Sequence, residues 1–321
     1  MNKLALLLKR EYWEHRGGFL WAPVWTCVTI LAFTVFGIVT AEVVGRRSSI
    51  HMGFSLDKLR TSLDANDMIQ AGNALDMVQL MFGAVTCLVL FFVLFFYLLG
   101  ALYDDRRDRS VLFWKSLPVS DTSTVLSKAL AAMLLAPLVS FAIATVAYVA
   151  FLLLVTIWTA LHGVNVLPAI AAAHPFGMFW RLLLTVPVDA LWALPTVGWL
   201  LFWSAFARSK PFLWAVLLPL LAVFLNFWFG ALGLPNFDNL VALKDVAGRL
   251  LLSVMPGGWL GDDAWRSMSH AFDDDNVVRN FDPSRVYALL GTANLWIGAA
   301  CGAALAFAAA WLRGRRIEVN T

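Results

Sequence analysis

The sequence predicts an all-α integral membrane protein with six transmembrane helices, and three observations support this fold class. Apolar residues make up 60% of the 321 positions and charged residues only 14%, against about 45–50% and 25% in soluble domains. The apolar residues stand in runs of about 18 or more, the length that crosses a bilayer as a helix. The chain also has 15 Trp and 24 Phe, and Trp gathers at the headgroup level of membranes.

The first element is a charged segment, residues 1–18, which precedes the first apolar run. At helical spacing its apolar and charged residues fall largely on opposite sides. These sides are Leu4, Leu7, Leu8 and Tyr12 against Lys3, Arg10 and Glu14. The pattern predicts an amphipathic elbow helix that lies on the membrane surface. The alternative is a positive tail that only sets the topology of the chain.

Six apolar runs then predict six spans within a single transmembrane domain. They cover residues 19–44, 78–102, 129–159, 179–206, 212–232 and 286–312. Pro137 lies within the third run and predicts a kink there. The last run is packed with Ala and Gly, which indicates a helix in close contact with other helices.

The longest stretch outside the spans is residues 233–285. Within it, Val241–Gly261 is half apolar and is interrupted at Pro256-Gly257-Gly258. This part is too short and too interrupted to cross a bilayer. It predicts a re-entrant or interfacial segment on the outer side, before the last span.

Lysine and arginine determine the predicted orientation. The termini, residues 103–128 and residues 208–210 share one side, with 14 basic and 7 acidic residues for a net charge of +7. The remaining 10 basic and 14 acidic residues give −4. Because cytoplasmic loops carry the excess of Lys and Arg, both termini and residues 103–128 are predicted to be cytoplasmic.

The segment 103–128 carries the clearest functional pattern. Its first part, YDDRRDRSVLFWKSLPVSD, interleaves both charges and continues into an apolar cluster at Leu112–Leu117. A polar collar around aromatic anchors is typical of a protein–protein contact. Pro118 ends this helix, and Ser120 or Asp121 can cap the next one. The alternative is that Phe113 and Trp114 only anchor the segment at the membrane interface.

Sequence signatures of enzymes are missing from the chain. There is no G-x-x-x-x-G-K-[ST] phosphate loop, no H-E-x-x-H motif and no G-x-S-x-G elbow. We therefore expect no catalytic residues, no metal or cofactor site in this chain, and no nucleic-acid partner.

Two acidic residues are predicted to lie within the membrane, Asp189 in the fourth span and Glu42 near the outer end of the first. A charge at membrane depth is costly and indicates function. Asp189 lies between Pro187 and Pro195, so it could line a transport pathway. The alternatives are that it pairs with Arg181 or faces water.

The chain resembles the permease subunit of bacterial type-2 ABC (ABC-2) transporters. The likeness is strongest in the 103–121 sequence quoted above and in KREYWEHRGGF at residues 9–19; elsewhere it rests on the order of elements. The resemblance implies a coupling helix at Asp105–Leu117 that seats in a separate cytoplasmic ATP-binding subunit, which would hold the ATP and Mg. The implied contact residues are Asp105, Arg106, Arg109, Leu112, Phe113, Trp114, Lys115 and Leu117.

The same resemblance implies a working unit of two permeases, identical or different, and two ATPases in the bacterial inner membrane. It implies export of a lipophilic or amphipathic molecule such as a drug, peptide or lipid. Two other functions stay open at this point. One is a stand-alone ion- or proton-coupled transporter that uses Asp189, and the other is a membrane anchor that recruits a partner through residues 103–128.

Overall fold

The computed structural model describes residues 3–47, 65–108, 119–173, 175–239, 242–258 and 283–315. Within these ranges every regular element is helical. Six helical stretches are long and apolar enough to cross a membrane. The prediction of an all-helical protein with six membrane-spanning segments is confirmed at this level.

Twelve α-helices make up the described chain, and π-helical turns separate some of them. In order they are α1 (Lys3–Glu14), α2 (Ala22–Arg47), α3 (Ala65–Gly100), α4 (Tyr103–Arg107), α5 (Asp121–Leu130), α6 (Ala136–Leu161), α7 (Leu167–Ala172), α8 (Pro175–Phe206), α9 (Pro211–Ala231), α10 (Arg249–Leu251), α11 (Pro283–Ala288) and α12 (Ala293–Arg315). The π-helical stretches are Gly17–Trp21, Ala131–Leu135 and Ala242–Gly248.

The second spanning helix, α3, begins earlier than its apolar run. The sequence predicted that the second span begins at residue 78, whereas α3 already starts at Ala65. Tertiary contacts account for the difference, because this polar extension packs against α7, where Gly72 lies close to the backbone of Ala172, and against α6. There the Tyr148 hydroxyl donates to the backbone oxygen of Leu75 at 3.0 Å.

The third span is one continuous helical rod of α5, the π-helical turn Ala131–Leu135 and α6. Proline has no backbone N–H, so Pro137 cannot donate to the preceding turn. The backbone N–H of Ala136 bonds to the oxygen of Ala131, five residues back. A π-helical turn therefore precedes Pro137, where the sequence predicted a kink, and the helix continues through this position.

Helices α8 and α12 form the most intimate helix pair of the described bundle. A Cβ added at Gly198 would overlap the backbone of Gly302, and one added at Gly302 would overlap the carbonyl of Leu194. Only glycine permits two backbones to come this close. The expectation that the Ala- and Gly-rich last span lies against another helix is confirmed.

The outward surfaces of α2 and α9 are apolar. Phe33 and Phe36 of α2 are 70% and 67% exposed, and α9 likewise exposes large aliphatic and aromatic side chains along its length. Such continuous apolar surfaces are stable only against lipid or against another protein. The protein is accordingly a multi-pass membrane protein.

Candidate functional site

Charged side chains from four helices meet at one end of the bundle. We call this group the charged junction, and it consists of Glu11 of α1, Asp105 of α4, Asp121 and Lys128 of α5, and Arg313 of α12. Both the first and the last described helices contribute to it. The charged junction therefore joins residues near both ends of the described chain to residues of the segment 103–128.

Asp105 lies at the centre of the charged junction and is shared by two cations. Its Oδ2 atom is 2.8 Å from Arg313 Nη1 and 3.8 Å from Lys128 Nζ. Lys128 Nζ is also 3.3 Å from Glu11 Oε1, and Arg313 Nε is 3.1 Å from Asp121 Oδ1. Each cation thus bridges two carboxylates that belong to different helices.

Most of the charged junction is shielded from solvent. The side chains of Glu11 and Lys128 are 1% and 2% exposed, those of Arg313 and Asp105 are 4% and 10% exposed, and only Asp121 is appreciably open at 31%. A buried charge that loses its partner leaves the other charge uncompensated, which costs about 3–5 kcal/mol. The five residues therefore hold each other in place as a unit.

Aromatic residues enclose the Glu11 side of the charged junction. The Tyr97 hydroxyl donates to Glu11 Oε2 at 2.8 Å. The imidazole ring of His15 stands edge-on to the Tyr97 ring at 4.6 Å. Burial lowers the pKa of His15 and outweighs the opposing attraction of Glu11. The carboxylate of Glu11 is thereby held by Lys128 and Tyr97 while His15 favours its neutral form.

The start of the segment 103–128 is fixed to the end of α8. Ser204 Oγ accepts hydrogen bonds from the backbone N–H groups of Leu102 and Tyr103, at 2.9 and 3.0 Å. The Arg106 guanidinium donates to the backbone oxygens of Ser204 and Ala207, at 2.6 and 3.0 Å. The two Arg106 bonds give partners to the carbonyl of Ser204 in the last turn of α8 and to that of Ala207 just beyond it, where a helix end leaves carbonyls without intrahelical partners.

The far end of the same segment is also fixed. Ser120 caps α5, because its side-chain oxygen accepts from the backbone N–H of Ser123 at 3.1 Å. From the sequence, either Ser120 or Asp121 could be the residue that caps α5. The structure assigns the cap to Ser120, while Asp121 pairs with Arg313 instead.

The predicted partner-contact residues divide into two groups. The side chains of Asp105 and Arg106 make intramolecular bonds to α5, α8 and α12. The other six, Arg109, Leu112, Phe113, Trp114, Lys115 and Leu117, lie outside the described residues. The assignment of all eight to an ATPase contact stays a prediction.

Sequence reasoning did not single out the residues that build the charged junction around Asp105. Glu11, Lys128 and Arg313 entered only the charge count. One signal was present, because Glu11 follows Leu7 by four residues and so lies on the same side of α1 as an apolar residue. An acid on the apolar side of an amphipathic helix indicates a buried partner.

A second cluster of polar contacts lies on the N-terminal half of α8, away from Ser204. Asp189 Oδ1 accepts from the backbone N–H of Gly257 at 3.0 Å, and Asp189 Oδ2 accepts from the Thr185 hydroxyl at 2.9 Å. Gly257 has φ +78°, a left-handed conformation that favours glycine. Asp189 therefore anchors the turn in the segment predicted to be re-entrant.

Arg249 fixes the same segment at a second point. Its side chain is buried, with the guanidinium carbon 3.7 Å from the centre of the Trp192 ring and Nη2 3.1 Å from the backbone oxygen of Asn294. The Thr196 hydroxyl donates to the backbone oxygen of Arg249 at 2.9 Å. Arg249 thus connects residues 242–258 to both α8 and α12.

Arg249 was counted with the loop in the sequence, whereas its side chain is buried between α8 and α12. The two acids predicted to lie within the membrane, Asp189 and Glu42, differ in their surroundings. Asp189 accepts hydrogen bonds from Gly257 and Thr185, and Glu42 is partly exposed near the end of α2. Their placement within the membrane stays a prediction.

In the described ranges no group of three or more His, Cys, Asp and Glu side chains is arranged to hold a metal ion. In the charged junction Lys128 and Arg313 neutralise the carboxylates, and these ion pairs hold the helices together. Comparison with known proteins adds no assignment: no family model, no curated protein and no solved structure matches the chain.

Proposed function

We propose that this chain is the membrane permease subunit of an ATP-binding cassette exporter of the ABC-2 type. It would move a lipophilic or amphipathic molecule across the bacterial inner membrane, with ATP hydrolysed by a separate subunit. The observation that carries the proposal is the attachment of the segment 103–128 at both of its ends. Asp105 and Arg106 fix its start to three other helices, and Ser120 and Asp121 fix its end.

A segment attached in this way can transmit force. Side-chain ion pairs and hydrogen bonds join α4 to α5, α8 and α12, so a displacement of the segment moves several spanning helices together rather than bending one loop. Conformational coupling needs packed elements of this kind. The proposed partner grips the apolar cluster at Leu112–Leu117, and the charged junction transmits its motion to the bundle.

Within this proposal, Asp105 and Arg106 transmit motion and the aromatic residues make the contact. Residues 242–258 close the outer end of the pathway, where Asp189 and Arg249 attach them to α8 and α12. A second permease copy, or a sister chain, completes the pathway against the exposed apolar helices. Both termini and the segment 103–128 lie in the cytoplasm.

The decisive experiment co-expresses the chain with a candidate ATP-binding cassette protein, best taken from a neighbouring reading frame. The wild-type chain should retain that protein through purification and stimulate its ATP hydrolysis. The double variant Phe113→Ala/Trp114→Ala should lose both effects while it inserts and unfolds like the wild type. Phe237→Ala removes another exposed aromatic ring, 77% accessible and distant from this segment in sequence, and should change neither.

Retention of the ATPase at unchanged affinity by the double variant would show that the contact is elsewhere. Transport by the purified chain in vesicles without nucleotide would instead support a gradient-driven transporter that uses Asp189. A bound ATPase with no transport of any tested amphipathic substrate would support the membrane-anchor function.

A further inference from the structure

Helix α1 packs against the helix bundle with the side that the sequence pattern assigned to the membrane surface. The sequence pattern indicated a helix whose apolar side faces the membrane surface. In the structure that side packs against α5 and the following π-helical turn, with Leu7 and Glu11 as its buried residues. The ion pair of Glu11 with Lys128 and its bond from Tyr97 fix this orientation.

The opposite side of α1 is therefore the one that faces outward. Successive helical residues are rotated by about 100°, which places Leu6, Lys9, Trp13 and Arg16 within roughly 40° of the direction opposite Glu11. All four are exposed, with Leu6 at 48% and Trp13 at 55%. Arg16 follows the end of α1 but keeps a helical conformation. We call these four residues the outer elbow face.

The outer elbow face combines two apolar anchors with two cations. The acids of α1 do not neutralise it, because Glu11 is turned inward to Lys128. Glu14 lies to one side, where it pairs with Arg10 at 3.0 Å. The face is therefore cationic along its whole length, with Leu6 and Trp13 set among the charges.

We propose that the outer elbow face binds anionic phospholipids of the leaflet at which α1 lies. Leu6 and Trp13 would enter the headgroup–acyl boundary, while Lys9 and Arg16 extend to the phosphates. The position of the face supports this partner, because α1 leads through the turn Gly17–Trp21 directly into the first spanning helix. A surface joined so closely to a membrane span stays at headgroup height.

Charge complementarity selects anionic over zwitterionic lipid. Each Lys or Arg near an anionic surface strengthens binding by about fivefold. Two such charges beside two apolar side chains fit a lipid surface. The first turn of α2 extends this surface with another exposed aromatic residue, Trp25, which is 64% exposed. This inference does not depend on the proposed transport function, because it concerns only the docked geometry of α1.

The test uses the purified full-length chain in mixed micelles of equal phosphatidylglycerol and phosphatidylcholine, with retained lipids counted by native mass spectrometry. The wild type should retain phosphatidylglycerol preferentially. Lys9→Gln/Arg16→Gln should lower that preference by about fivefold for each charge removed, and Lys9→Arg/Arg16→Lys should preserve it. Trp13→Ala should reduce retention of both lipids.

The matched control for Lys9→Gln alone is Arg107→Gln, which removes an exposed cation that Asp104 and Asp108 already neutralise. It should leave the phosphatidylglycerol preference nearly unchanged. An unaltered preference in Lys9→Gln/Arg16→Gln, or a loss in the control equal to that in Lys9→Gln alone, would overturn the proposal. So would loss of a bound protein subunit with unchanged lipid retention, because that result would assign the face to a protein partner.

Discussion

Asp105 and Arg313 form a 2.8 Å ion pair across 208 positions of sequence, and both side chains are buried. This pair joins the start of the segment 103–128 to the end of the last spanning helix. The same carboxylate also contacts Lys128 at the start of the third span. Asp105 of α4 thus links its own helix to both α5 and α12.

Arg313→Met should destabilise the protein by about 3–5 kcal/mol, because it leaves the Asp105 and Asp121 carboxylates without a buried cation between them. The midpoint of thermal unfolding in detergent measures the effect. Arg315→Met is the matched control, since Arg315 is exposed and its guanidinium stacks on Trp311 at 4.3 Å. It should cost about 1 kcal/mol or less. Equal losses in the two variants would show that the ion pairs of Arg313 add no stability.

Protonation of His15 should weaken the docking of α1. Burial lowers the pKa of His15 below its ordinary value of 6.5, and Lys128 adds to the decrease, while Glu11, Glu14 and Asp105 oppose it. The unfolded chain therefore binds more protons than the folded chain between the two pKa values. Stability should be fully present above about pH 6.5 and should fall as the pH drops through the lowered pKa.

His15→Phe keeps an aromatic ring against Tyr97 but does not titrate. Thermal unfolding between pH 5 and 8 should show a shallower pH dependence in this variant than in the wild type. Parallel curves for the two proteins would mean that the pH dependence arises elsewhere in the chain.

Asp189→Ala should release the turn at Gly257, because the backbone N–H of Gly257 loses its acceptor. Hydrogen exchange at residues 252–258 should become faster, while exchange in α3 stays unchanged. Asp189→Asn keeps one side-chain oxygen and should fall between wild type and Asp189→Ala. Unchanged exchange in both variants would contradict an anchoring role for Asp189.

Gly302→Leu should separate α8 from α12, because any side chain at this position overlaps the carbonyl of Leu194. We expect a large loss of thermal stability or failure to insert, and Gly302→Ala should show a smaller loss in the same direction. Gly37→Ala is the control, since a Cβ there meets no atom within 4 Å. It should be neutral or slightly stabilising.

Residues 242–258 show why some residues could not be identified from sequence. Arg249 lies in a half-apolar stretch predicted to be re-entrant or interfacial, where an arginine that faces water has the same local sequence pattern. Its significance arises only from Trp192 and Asn294, which approach from two other helices. Asp189 was identified because an acid inside an apolar run is unusual at any position.

The sequence by itself determined the number of spanning helices, their approximate positions and the close packing of the last span. These features follow from local composition, because the length of an apolar run and the size of its residues act through the nearest turns of helix. The tertiary structure alone decided which side of α1 is buried and which charges are paired. Lys128 and Arg313 have the same local pattern as solvated cations. Only the folded arrangement sets them between Glu11, Asp105 and Asp121, where removal from water makes each charge depend on its partners.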